Sequence, residues 1–153
     1  MRDVRFIGIE AARPTPEVLA AIDDARVILI APSNPIVSIG PILALPGMTA
    51  ALGEARGRGT PVVALSGIVG GRALKGPADR MLASLSREPS ALGVARGYAG
   101  LIDGFVIDPV DAAHGLAIEG IGMSVLVTDT LMTDDAARAR VADEMLLFAE
   151  HLR

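Results

Sequence analysis

The residues best suited to chemistry in this chain are hydroxyl and amide side chains crowded behind an apolar run. In "VILIAPSNPIVSIGPILALPG" (residues 27–47), Ser33, Asn34 and Ser38 follow the unbroken apolar stretch 27–31. Their donors suit phosphate oxygens, and Gly40 lets a ligand approach the backbone closely. Further along, Lys75 could set a point charge beside a diphosphate. Asp129, in "VTDTLM", could orient a donor-rich ring or hold a cation. A structural alternative stands beside this reading, because Ser and Asn between two prolines also simply build a turn.

Other chemistries find little support. Neither a nucleophile elbow nor a paired-carboxylate motif is present. Gly70-Gly71 matches neither the Walker nor the dinucleotide-binding glycine spacing. His114 and His151 lie far apart on predicted helices, without metal-ligand spacing. Asp108, Asp111, Asp134 and Asp135 read as helix caps or first-turn acids, where the helix dipole favours them. Cysteine is absent, which excludes disulfides and thiolate metal sites and fits a reducing cytoplasm.

The elements that must position these residues alternate between strand and helix. Residues 4–9 (VRFIGI) read as a strand. Thr15-Pro16-Glu17 supplies an N-cap, a first-turn proline and an early acid for a helix to about residue 25. The run 27–31, stopped by Pro32, reads as a strand covered on both faces. A helix starting at Pro46 or Gly47 ends at Gly57-Arg58-Gly59. Strand 61–65 leads into a glycine-rich loop (66–77) and a helix over 77–85. A helix over 90–98, diluted by Gly93 and Gly97, precedes strand 104–107. Asp111 opens a short helix to about residue 118, strand 124–127 follows, and a helix over 134–152 closes the chain, with Val141, Met145 and Phe148 inward.

Crossovers of this length predict an α/β fold with a Rossmann-like, mostly parallel sheet and helices on both faces. If so, the loops after strands 27–31, 61–65 and 124–127 share one edge, where such sheets bind ligands.

At 153 residues the chain has the size of one domain, long enough to bury a core. A net charge of −4 argues against general affinity for nucleic acid or anionic membranes. Neither a basic start followed by an apolar core nor a bilayer-length apolar stretch occurs. Mean hydropathy, at +0.48, is high for a free-standing domain: either the surface carries an apolar patch or the chain expects a partner.

The wording of the loops goes further. "APSNPIVSIGPILALPG", "PVVALSGIVGGRALKGPADRML", "GFVID" and "VTDTLM" occur in an order that resembles the 2-phospho-L-lactate transferase family of coenzyme F420 biosynthesis. The upstream "VRFIGIEAARPTPEVLAAIDDARVILI" resembles it too, so the likeness spans nearly the whole chain. It implies transfer of a phospholactyl or phosphoenolpyruvyl group from a guanosine diphosphate-linked donor to the deazaflavin Fo, with release of GMP and assistance from Mg²⁺. Carried over, Ser33, Asn34, Ser38 and Gly40 would line the donor phosphate site. Lys75 and Asp79 in "KGPAD" and Asp129 in "TDT" would border the same cleft.

Members of that family are about twice as long, and open with a glycine-rich turn followed by the acids that hold the metal. The resemblance therefore implies that residues 1–153 are a carboxyl-terminal half, inactive alone. Its bare faces then await either the absent half or a second copy of the chain. The alternative is a nucleotide- or deazaflavin-binding module without catalysis.

Overall fold

The computed structural model describes residues 3–153. Its centre is a four-stranded, wholly parallel sheet in the order β1-β2-β5-β6. The strands are β1 (Ile28–Ile30), β2 (Val62–Leu65), β5 (Gly104–Ile107) and β6 (Ser124–Val127). The central strands β2 and β5 are buried throughout, whereas the edge strands are not. Leu29 of β1 is exposed, so the expectation that the run 27–31 is covered on both faces does not hold, because an edge strand lacks a neighbour and full helix cover. The Rossmann-like α/β expectation holds.

Alternation along the strands divides the core in two. Ile30, Val62, Ala64, Phe105 and Ile107 face one side. They meet α4 (Ala78–Ser84), α5 (Ala91–Gly97) and α6 (Gly115–Glu119), with partly buried residues of α2 (Ile39–Leu43) joining them. Val63, Leu65 and Val106 face the other side, against Val141, Met145 and Ala149 of α7 (Asp135–Glu150). Phe148 packs on this second cluster, as its helical spacing predicts. Two further helices, α1 (Pro16–Asp23) and α3 (Met48–Gly57), pack on each other. Thr15 caps α1 by accepting from the Val18 amide at 3.4 Å, with Pro16 in the first turn.

One ion pair locks the amino-terminal edge of the sheet. Asp103 Oδ1 accepts from Arg56 Nε and Nη2 at 2.9 and 2.8 Å, while its Oδ2 accepts from the Val62 amide at 2.8 Å. A single carboxylate thus ties α3, β2 and the start of β5.

Four expectations about elements need correction. Residues 4–9 form no strand: the Ile9 amide bonds back to Phe6 O at 3.2 Å, and Gly8 sits at φ +84°, which breaks the extended run. The loop after β1 contains the five-residue helix α2, whose three apolar residues Ile39, Ile42 and Leu43 are interrupted by Gly40 and Pro41, which masked it. The glycine-rich stretch after β2 contains a hairpin of β3 (Ile68–Val69) and β4 (Arg72–Ala73). The turn after β5 is a 3₁₀ helix over Pro109–His114, capped by Asp108 rather than opened by Asp111. Proline at its first position accounts for the earlier start.

Candidate functional site

A parallel sheet brings every strand's carboxyl end to one edge, so Pro32, Ser66, Asp108 and Thr128 emerge side by side. Three contacts knit the loops that follow. The backbone of Ser33 lies against Gly67, where an added Cβ would stand 3.1 Å from Ser33 O. The Gly70 amide, in the hairpin turn, donates to Asp111 Oδ2 at 3.0 Å. Thr130 donates to Asp108 Oδ2 through both its amide (3.1 Å) and its hydroxyl (3.0 Å). The loops after β1, β2, β5 and β6 therefore form one continuous wall.

Asp108 is buried, and burial alone works against its charged form. The hydrogen bonds from the Val110 amide and from Thr130 outweigh that cost and hold its carboxyl below the ordinary aspartate value. Beyond Thr130, Asp129 Oδ1 accepts from the Leu131 amide at 3.0 Å and Oδ2 lies 3.4 Å from Arg140 Nη2. Arg140 also donates to Asp129 O at 2.7 Å and to Glu144 at 3.2 Å. The Thr128 hydroxyl, and Arg140 after it, keep Glu144 below its usual value against the opposing charge of Asp129. The loop after β6 is thus pinned to α7.

The sequence-predicted site residues fall into different positions along this wall. Ser33 and Ser38 are exposed, and Ser38 makes no capping bond to α2. Asn34 shapes the turn: its Oδ1 accepts from the Ile36 and Val37 amides at 2.9 and 3.1 Å, and its Nδ2 approaches Met81 Sδ at 3.4 Å. Gly40 is closely approached by Phe6, whose ring would stand 3.2 Å from an added Cβ, and by Pro35 O. Lys75 is exposed on the connection between β4 and α4, and Asp79 is half-buried in the first turn of α4. Asp129 is at the far edge strand from Ser33, three strand spacings or roughly 14 Å away. The structure brings Ser33, Asn34 and Ser38 together after β1 and sets Asp129 across the width of the sheet from them.

Asp108, Asp111 and Thr130 were not among the predicted site residues, yet they hold the wall together. Their signal in the sequence was an aspartate directly behind a fully apolar strand, in "GFVIDP", where a cap and a loop tether look alike.

Beneath Gly40, a cavity of about 550 Å³ opens on the α5 side of the sheet, lined by Phe6, Leu82, Arg87, Val94, Tyr98 and Leu101 among others. Burial pushes the Tyr98 hydroxyl up to about 12, so it stays protonated there. The volume is that of a pocket for a small organic ligand.

Among the described residues, no three His, Asp or Glu side chains converge as a metal cage. Asp108, Asp111 and Asp129 each spend an oxygen on a backbone amide: those of Thr130, Gly70 and Leu131.

The known proteins that this chain resembles agree with the loop wording. It is 46% identical over 148 residues to a phosphoenolpyruvate transferase of Streptomyces griseus, covering 96% of this chain and 46% of that protein. A phosphoenolpyruvate transferase of Mycobacterium avium is 43% identical over 149 residues, and 42% of its length is matched. A 2-phospho-L-lactate transferase of Methanosarcina mazei is 39% identical over 143 residues, again with 46% of its length matched. The chain therefore spans about half the length of the curated relatives it matches. Residues 1–131 match the family described as 2-phospho-L-lactate transferase CofD, and the chain belongs to that family of transferases.

Proposed function

We propose that this chain is the carboxyl-terminal half of a cytoplasmic transferase of coenzyme F420 biosynthesis. The reaction moves a phospholactyl or phosphoenolpyruvyl group from a guanosine diphosphate-linked donor to the deazaflavin Fo, releasing GMP. The observation that carries this reading is the exposed Ser33–Ser38 loop at the carboxyl end of β1, in a chain of this family.

In this reading, the Ser33 and Ser38 hydroxyls donate to the donor's diphosphate, and Asn34 acts by holding their loop in shape. Lys75 adds positive charge from the hairpin side, with Asp79 nearby on α4. Asp129, about 14 Å away across the sheet, meets a different part of the bound pair of substrates. Such a span suits a nucleotide-linked donor and a flat acceptor lying along one edge. Catalysis of phosphoryl-type transfer is mostly positioning and charge stabilisation. Magnesium belongs to acids outside residues 1–153, so the isolated chain lacks that part of the stabilisation.

The test is product formation. The isolated chain, supplied with a GDP-linked donor, Fo and Mg²⁺, is expected to form no deazaflavin product, and the complete protein to form it. Product from the isolated chain would overturn the half-site reading. Calorimetric binding of GDP or Fo by the complete protein without turnover would favour a binding module instead.

A further inference from the structure

The cavity between α2, α4 and α5 has no part in the proposed transfer. Of the predicted site residues only Gly40 lines it, and its walls are mainly apolar, with Phe6, Leu43, Leu82 and Leu101 among them. Tyr98 is the exception. It is 4% exposed at the C-cap of α5, and its hydroxyl bonds to no side chain or backbone group among the described residues. The oxygen is not sealed in the core, since no fully buried side-chain oxygen of the described residues lacks a partner. It therefore opens onto the cavity that Tyr98 lines. Burial keeps the hydroxyl protonated, so it meets the cavity as a donor without an acceptor.

The floor is a helix face stripped of side chains. Gly93 and Gly97, one turn apart on α5, both line the cavity. Packing explains the first, because its Cβ would strike Glu88 O. Nothing of the kind explains the second: a Cβ on Gly97 meets no atom within 4 Å, although glycine is a poor helix former. Gly97 keeps the cavity open. The approach of residue 88 to Gly93 also sets Arg87 at that end, with Tyr98 five residues on, about 7.5 Å along the helix. Arg87 is exposed and enters none of the ion pairs among the described residues. The neighbouring Glu88 is taken by Ser90 and Arg96, and Asp3 on the rim by Arg5. The cavity thus has a flat floor, a buried donor at one end and a cation at the other.

We propose that this cavity binds a small planar aryl carboxylate carrying a neutral hydrogen-bond acceptor opposite its acid group. The ring lies on Gly93 and Gly97, where no side chain stands between it and the helix backbone. Its carboxylate reaches the Arg87 guanidinium at the rim, and its far acceptor receives a hydrogen bond from the Tyr98 hydroxyl. The charge stays at the wet end, where desolvation costs least, and only a neutral group enters the buried end. One benzene ring with para substituents matches the span between the two polar groups.

Tyr98 is the one tyrosine of the chain, so its ring signals report on this cavity alone. The experiment titrates para-acetylbenzoate into residues 1–153 and follows those signals, and the amides of α5, by NMR. The expected result is saturable one-to-one binding with a Kd of about 1 mM or tighter. Para-isopropylbenzoate keeps the shape without the acceptor and should bind about five-fold more weakly. Tyr98→Phe should erase that difference between the two benzoates. Arg87→Gln should weaken para-acetylbenzoate about three-fold and leave its uncharged methyl ester unaffected. Gly97→Leu fills the open space and should abolish binding while the chain melts as before. If that variant fails to fold, the comparison in Tyr98→Phe still decides. No saturable binding, binding that survives Gly97→Leu, or an acetyl preference that persists in Tyr98→Phe would each overturn the proposal.

Discussion

Asp108 and Thr130, 22 positions apart, are joined by two hydrogen bonds to a single carboxylate oxygen. Asp108 ends β5 and Thr130 lies in the loop after β6, so this pair sets the height of one strand's exit against its neighbour's. Because both residues are buried, neither loop can shift without stranding a carboxylate.

Removing the charge should therefore be costly. Hydrogen bonds to charged groups contribute about 1.5–3 kcal/mol each. Asp108→Asn turns one acceptor oxygen into a donor facing donors, and is expected to lower stability by roughly 3 kcal/mol in urea unfolding. Thr130→Val keeps the amide bond and loses only the hydroxyl, so about 1–2 kcal/mol is expected. Equal effects from both would show that the hydroxyl, not the carboxylate, governs the link.

The same carboxylate predicts a pH dependence. Its folded value lies below the unfolded one, so its stabilisation is fully present above the ordinary aspartate value of about 3.9. It is lost as pH falls through the lower folded value. The stability difference between the natural chain and Asp108→Asn should thus be constant near neutrality and shrink below about pH 3.9. A difference that persists unchanged into acid would assign the effect of the variant to packing.

Two glycines of α5 should behave in opposite ways. A Cβ on Gly93 would stand 1.9 Å from Glu88 O, a backbone atom that cannot swing aside. Gly93→Ala is expected to cost about 3 kcal/mol or more, or to prevent folding. Gly97 has open space around its would-be Cβ, so Gly97→Ala should stabilise by about 0.5–1 kcal/mol. Thermal melting of the two variants checks both signs.

The opening loop separates a shaping residue from a reaching one. Asn34 accepts two backbone bonds, so Asn34→Ala should lower stability by about 1–2 kcal/mol. Ser38 makes no capping bond, and Ser38→Ala should melt like the natural chain. In the complete protein, Ser38→Ala should weaken GDP affinity about ten-fold, the worth of one charge-assisted bond. Unchanged affinity would remove Ser38 from the phosphate site.

At the other end of the sheet, Arg56→Lys cannot reproduce the two parallel bonds to Asp103. A loss of about 1–2 kcal/mol in urea unfolding is expected, with nucleotide affinity of the complete protein untouched. A change in affinity would show that the clasp reaches across the sheet to the site.

Local pattern sufficed for most of the elements. Thr15-Pro16 announces α1, Asp134 caps α7 as its position implies, and the apolar runs mark all four strands of the main sheet. Those features depend on residues within a few positions of one another, which is why composition and spacing reveal them. Wording specific to a family carried the rest, since "APSNPIVSIGPILALPG" identifies relatives that no hydrophobic period distinguishes. Tertiary structure alone decided where the polar residues meet. That Phe6 fills the approach to Gly40 and that Asp108 tethers Thr130 depend on partners distant in sequence, whereas the turn that Asn34 shapes uses amides two and three residues on and was legible in the sequence. A period of two states which side of a strand is apolar, but not which strand lies beside it. The separation of Ser33 from Asp129 followed only once β1 and β6 were found at opposite edges of the sheet.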